Sequence, residues 1–325
     1  MKRVVVTLLF VLGLVAAPAG KPELIRAEGS VDAMGSTYSV VIYGSDRDKL
    51  QSNVAQALEE ARRLDELLSN YQPRSEWSQV NRLAADQPVV VSRELFQLLA
   101  ACVDYSRESE GAFDISVGPL MKVWGFYKGT GHLPHRAEIR GAMGKVGYRN
   151  ILLDSPHSSV RFSQHGVEID PGGIGKGYAV DRIAAVLKTN GIQSALISAA
   201  GSSIYALGAP PGEPGWQLQI KDPRNPSKAV ATVALKDASM STSGNYEKFF
   251  YAEGKLYSHI MDPRTGYPSQ GMLQASVISP KTIDSEAWTK PYYIMGRQWT
   301  ERHKKKDFRV YLCEDRAGAP CEWLQ

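Results

Sequence analysis

DPGGIGKGYAVDRIAAVLKTNG, residues 170–191, sets a glycine-rich loop between an extended segment and a helix. The preceding VRFSQHGVEID reads as two short strands joined by a turn at His165 and Gly166, and Val180, Ile183, Ala184 and Leu187 then recur on one helical face. Gly172, Gly173, Gly175 and Gly177 let the backbone approach a ligand without Cβ obstruction. The first free N–H groups of the helix point at whatever sits there. Such a site suits a phosphate or pyrophosphate, and Lys176 adds a full positive charge. The same glycines also suit a helix entry that merely packs tightly. Neither common nucleotide fingerprint applies: no Ser or Thr follows the lysine, the GxxxxGK spacing is missing, and GGIGKG is not GxGxxG.

Around this loop stands a chain of 325 residues, 43% of them hydrophobic, enough for a substantial core. Lys2 and Arg3, the apolar run over residues 4–15 and Ala17, Pro18, Ala19 match the three regions of a secretory signal peptide, with cleavage expected after Ala19. The apolar run is short for a bilayer span. No cysteine near the cleavage point suggests a bacterial lipoprotein. Cleavage removes two positive charges and no acidic residue, taking the formal charge from +4 to +2, which excludes a nucleic-acid reading. Three cysteines do not make a disulfide scaffold. Cys102 sits in an apolar helical pattern as a buried thiol, while Cys313 and Cys321 flank a turn and allow a local disulfide in an exported protein.

The remaining pattern predicts one mixed α+β domain over residues 20–325. Residues 27–43 read as strands broken at Met34, Gly35 and Ser36, and Leu50, Val54, Leu58, Ala61, Leu64 and Leu68 mark a long amphipathic helix. LSNYQPRSEWSQVNR reads as a loop, with Tyr71 and Trp77 offering flat surfaces. A helix over residues 92–109 is capped by Ser92 and closed by Gly111. GAFDISVGPLMKVWGFYKG reads as a structured loop with a short helix. Strands follow at 194–198, 216–220, 229–235 and 273–279, then a helical segment interrupted by Pro291 and a closing hairpin over 308–324.

Six motifs, MGSTYSV, LSNYQPRSEWSQVNR, GAFDISVGPLMKVWGF, DPGGIGKGYAVD, TSGNYEKF and HIMDPRTGYP, stand in an order that resembles the ApbE-like family, the FAD:protein FMN transferases. The resemblance implies a layered α+β fold, bound FAD, a Mg²⁺ ion, and transfer of FMN to a Thr hydroxyl of an exported partner flavoprotein, with AMP leaving. Cleavage of the signal peptide would place such a protein in the periplasm or at the cell surface, with peripheral contact to membrane-bound acceptor proteins. In that role Met34, Tyr71, Trp124 and Phe126 supply surfaces for the rings. The 172–177 backbone with Gly173, Lys176 and Thr265 supplies phosphate donors. Phe113, Asp114 and Asp181 belong to the FAD pocket by similarity; read alone, Asp181 is a first-turn carboxylate favoured by the helix dipole and Asp114 a turn former. His259, beside Asp262, is the candidate general base, with Asp262 as its catalytic companion.

The metal segment departs from the family pattern. The family's Asp-Ala-x-x-Thr falls here at Glu286 and Lys290, counted back from Gly296. A Glu carboxylate remains a hard oxygen ligand for Mg²⁺, but an ammonium cannot ligate a metal and repels one at short range. Lys290 is therefore either a doubtful occupant of a metal site or a charge that neutralises pyrophosphate itself. The Gly175 carbonyl takes the family's remaining metal contact, Asp284 faces another side of the helix, and Ser202 and Ser203 replace a Gly-Gly-Asp turn. Two other activities compete with transfer: FAD pyrophosphatase, giving FMN and AMP, and FAD binding without turnover.

Overall fold

The computed structural model describes residues 24–127 and 129–325; the signal peptide expected over residues 1–19 lies outside them. Strands Ile25–Ala33, Ser36–Gly44, Ala195–Ala199, Ser203–Leu207, Ala238–Gly244, Met272–Ser279, Arg309–Glu314 and Cys321–Trp323 lie side by side in chain order as one eight-stranded sheet. Every neighbouring pair is antiparallel, so the sheet is a meander. The long excursions between its strands build the rest. Between the second and third strands run α1 (Arg47–Leu68), α2 (Glu76–Leu83), α3 (Arg93–Glu108), α4 (Gly118–Val123), α5 (Arg136–Met143) and α6 (Gly175–Thr189). Between the sixth and seventh strands runs α7 (Thr282–His303). This is the mixed α+β fold that the pattern predicts.

Period-two alternation decides what covers each face of the sheet. Tyr38, Val40, Ile42 and Leu207 pack with Leu50, Ala57 and Leu64 of α1 and Val180, Ile183 and Leu187 of α6. Val41, Tyr43, Ile204, Ala206 and Met240 point the other way, onto the hairpin Trp216–Asp222 and Asn225–Leu235. Each such apolar side chain stabilises the fold by roughly 1.5–3 kcal/mol when fully buried. The α7 interface is instead partly polar: Ser239 and Ser241 meet the Ser285 hydroxyl at 3.0 and 2.8 Å, and Ser243 donates to Thr289 at 2.8 Å. Buried hydroxyls demand partners, so this row fixes the rotation of α7 about its axis. Glu286 and Lys290, each one residue further along, are set by the same row.

Side-chain caps start the first three helices. Asp46 accepts from the Lys49 amide at α1, and Ser92 accepts from Leu95 at α3 as the sequence predicts. Ser75 does the same for Ser78, so the stretch read as a loop contains the helix α2. The second of two strands expected before the glycine loop does not form. Residues 167–170 run extended without a ladder, and side chains complete their hydrogen bonds: Asn81 pairs with both N–H and C=O of Ile169, and Trp77 donates to the same carbonyl at 3.0 Å. The break in the last helix also lies elsewhere than predicted. The chain passes through Pro291 as helix and turns at Gly296, where φ is +74°, a conformation only glycine adopts without strain. Cys313 and Cys321 are register partners in the closing hairpin and form a disulfide. Cys102 is fully buried, and burial pushes its thiol pKa up.

Candidate active site at the glycine loop

A cavity of about 840 Å³ opens between the glycine loop, the first β-turn and α7. That is at the upper end of the sizes usual for small-molecule sites and suits a ligand as large as a dinucleotide. Its floor is the loop itself. Asp170 caps a single 3₁₀ turn, Pro171–Gly173, by accepting from Gly172 N–H at 2.7 Å, and Asn70 donates to its other oxygen at 3.1 Å. Burial nonetheless raises the Asp170 pKa. Helix α6 then starts at Gly175, with Lys176 facing the cavity.

Not all of the loop amides are available to a ligand. Gly172 N–H is held by Asp170, Ile174 N–H by the Pro171 carbonyl, and Gly177 N–H by Glu286 Oε2. The last bond depends on glycine. A Cβ on Gly177 would stand 2.5 Å from the Thr282 carbonyl oxygen and 2.8 Å from Glu286 Oε2. Tight helix packing and a ligand cradle, alternatives for the same glycines in the sequence, thus divide them: Gly177 serves packing, while Gly173 and Gly175 line the cavity.

Across the loop stands the pair from α7. Glu286 is 2% exposed. Lys290, one turn on, donates to the Glu286 carbonyl at 2.9 Å and holds its ammonium 3.9 Å from Glu286 Oε1. Burial lowers the Lys290 pKa to about 8, against the upward pull of Glu286 and with a further downward push from Lys176. A Cβ on Gly173 would lie 3.6 Å from Lys290 Cε, so the lysine stem rests against the loop. This donor set does not fit a divalent cation: one carboxylate oxygen is taken by an amide, the other faces an ammonium. Among the described residues no group of three or more His, Cys, Asp or Glu side chains is gathered to hold a metal.

His259 lines the cavity opposite, its ring edge-on to Phe126. Its Nδ1 lies 3.2 Å from the Lys248 carbonyl, which can only accept, so Nδ1 carries the proton and Nε2 keeps a lone pair. Desolvation first, then the charges of Lys176, Lys248 and Lys290, lower the His259 pKa to about 4. The ring is neutral at pH 7. Asp262 does not join it. Arg264 grips that carboxylate through two nitrogens at 2.9 and 2.8 Å, and its own amide adds a third bond, so Asp262 shapes the turn after His259.

Met34, Tyr71, Phe113 and Phe126 line the cavity together with Gly173, Gly175, Lys176, Glu286 and Lys290. Met34 does so from a left-handed turn position, φ +50°. Tyr71 is 59% exposed at the mouth and is held by a 2.6 Å bond from its hydroxyl to the Tyr127 carbonyl. Asp114 lies on the wall, but its oxygens are taken by the amides of Ser116 and Tyr148 at 2.8 and 2.6 Å. Three expected pocket residues do not line the cavity. Trp124 is fully buried and donates to the Gly266 carbonyl at 2.9 Å. Thr265 is engaged within its own turn. Asp181 accepts from the amides of Thr282 and Ile283 at 2.8 and 2.9 Å and so caps α7. Sequence reasoning missed Asn70, Asp170 and Lys248. Lys248 was visible in TSGNYEKF as a positive charge beside a glycine turn.

An α+β protein whose glycine loop and three lysines ring one cavity belongs to the class that holds anionic, nucleotide-sized ligands. The family model described as the ApbE family matches residues 34–312, and the chain belongs to that family. An FAD:protein FMN transferase of Klebsiella pneumoniae (strain 342) is 34% identical over 268 residues, spanning 81% of this chain and 80% of that protein. One of Treponema pallidum (strain Nichols) is 30% identical over 313 residues, 90% and 84% of the two chains. The crystal structure of the ApbE protein from Thermotoga maritima shares the fold with a TM-score of 0.84 at 28% identity, covering 92% of this chain and 96% of that one.

Proposed function

We propose that the chain is an FAD:protein FMN transferase, with FAD held in the cavity, its pyrophosphate on the glycine loop and the three lysines, and its rings on the aromatic wall. The observation that carries this reading is the convergence of Lys176, Lys248 and Lys290 with a neutral His259 in one cavity beside that loop. The names of the Klebsiella and Treponema relatives support the reaction. In it, a Thr hydroxyl of an acceptor protein attacks the phosphorus of the FMN half. The new O–P bond forms as the anhydride P–O bond breaks, and AMP leaves with the bridging oxygen. His259 Nε2 takes the hydroxyl proton.

The lysines do two things in this scheme. They offset the phosphate charge, the main demand of phosphoryl transfer beyond positioning. Their charges, added to the larger effect of burial, also keep His259 neutral, with the Nε2 lone pair free to accept a proton. Mg²⁺ accompanies the family resemblance, but Glu286 and Lys290 do not fit it. Export is part of the same proposal: a cleaved leader delivers the chain to the periplasm or cell surface, among membrane-associated acceptor flavoproteins. No helix of the described residues is long and apolar enough to cross a membrane.

The test is AMP release from FAD, measured with and without an acceptor carrying an exposed Thr. Release that requires the acceptor is the outcome of transfer. Release at the same rate without acceptor replaces the reading by FAD hydrolysis, and unchanged FAD in both leaves binding alone.

A further inference from the structure

We propose that the Lys290 ammonium is this chain's built-in counter-charge for the pyrophosphate, so that binding and cleavage of FAD need no divalent cation. The inference rests on the FAD reading and deepens it. Lys290 is fixed rather than mobile: it sits on α7 one turn after Glu286, donates to the Glu286 carbonyl at 2.9 Å, and keeps only 20% of its side chain exposed. The glycine loop closes over its stem, with Cε 3.6 Å from the position a Cβ on Gly173 would take. Its charge therefore lies beside the loop that receives the phosphates.

The partner carboxylate is committed to this arrangement. Glu286 Oε2 accepts from Gly177 N–H, and Oε1 stands 3.9 Å from Lys290 Nζ. A divalent ion bound to Oε1 would sit within a few ångströms of an ammonium, where like charges repel strongly in a partly desolvated site. A divalent ion against one carboxylate leaves a surplus positive charge for the ligand. Lys290 instead offsets the Glu286 carboxylate that would repel the phosphates and, with one of its three ammonium protons on the Glu286 carbonyl, keeps others to donate to them, so the surplus charge comes from its neighbours. Lys176 and Lys248, both lining the same cavity, supply that surplus. The lysines thus provide as fixed side chains what a metal would provide as a diffusible ion, and nothing must be recruited from solution.

Titration of the protein with FAD, followed by flavin fluorescence in EDTA and again in excess MgCl₂, tests the inference directly. The affinities should agree within about twofold, and AMP release in the presence of an acceptor carrying an exposed Thr should persist in EDTA. Lys290→Met should weaken FAD binding about tenfold or more in both buffers, the loss typical of one charge-assisted contact. Lys290→Arg, which keeps the charge, should recover part of it. Lys290→Thr should make binding and AMP release respond to Mg²⁺. Loss of FAD binding or AMP release by the unsubstituted chain in EDTA, with recovery in Mg²⁺, would overturn the inference, as would native affinity in a folded Lys290→Met variant. Absence of FAD binding in both buffers would instead remove the transferase reading, and this inference with it.

Discussion

Replacing Gly177 by alanine probes the contact on which the site is hung. The new Cβ would lie 2.5 Å from the Thr282 carbonyl oxygen and 2.9 Å from Glu286 Cβ. The first obstacle is backbone, so no rotamer change relieves it. Reaching an ordinary separation of about 3.4 Å from 2.5 Å requires α6 and α7 to part by about 0.9 Å. Overpacking of this kind costs roughly 1–3 kcal/mol. The shift also takes Gly177 N–H from Glu286, and a buried acceptor left unsatisfied costs about 1–3 kcal/mol more. The sum, about 4 kcal/mol, corresponds to a Tm lower by roughly 5–10 °C in a chain of this size. Because α7 carries Glu286 and Lys290, FAD affinity should fall in the same variant. Gly141 in α5 is the control: a Cβ there meets nothing within 4 Å, so Gly141→Ala should leave Tm unchanged or raise it slightly. Differential scanning calorimetry with a flavin fluorescence titration reads both effects. A Gly177→Ala protein with native Tm and native FAD affinity would refute the claim that this contact sets α7 against the loop.

Other substitutions separate the roles assigned above. Asp181→Ala should cost about 2 kcal/mol in urea unfolding, because two amides at the start of α7 lose a charged acceptor. His259→Gln should slow AMP release roughly 10²–10⁴-fold, the usual contribution of a general base, while FAD affinity changes less than about threefold. Equal losses in rate and affinity would remove the base assignment. His259 also sets an acid-side dependence of stability. Its folded pKa, about 4, lies below the unfolded value of 6.5, so the unfolded chain binds more protons between them. Stability from the neutral ring is present above pH 6.5 and lost as pH falls toward 4. Relative to His259→Gln, the native protein should lose up to about 3 kcal/mol over that window, measured by urea midpoints at each pH. A difference that stays constant with pH would contradict the half-buried, lysine-flanked environment.

The layers were legible in the sequence because burial writes a period: the apolar spacings of α1 and α6 and the alternation of the sheet strands follow directly from which faces are covered. The short helix α2 was hidden because Asn70, Pro73 and Ser75 look like a loop, although Ser75 is its cap. Tertiary partners decide the rest. Residues 167–170 are strand-like in pattern, yet their hydrogen bonds go to Asn81 and Ile115 instead of a second strand. The site followed the same rule. Residues whose role is to present a surface, such as Met34, Phe113 and Phe126, reach the cavity. Carboxylates were harder to read, since Asp114, Asp181 and Asp262 each find nearby amides or an arginine and are used for shape. Nothing in their local sequence distinguishes an acid that meets a ligand from one that caps a helix 101 residues away in the chain.

Transfer of FMN to an acceptor threonine can be read by tandem mass spectrometry of an acceptor protein incubated with this chain and FAD. One Thr-containing peptide should carry FMN through a phosphoester, with AMP released in equal amount. An unmodified acceptor in a mixture that has accumulated free FMN and AMP would contradict transfer.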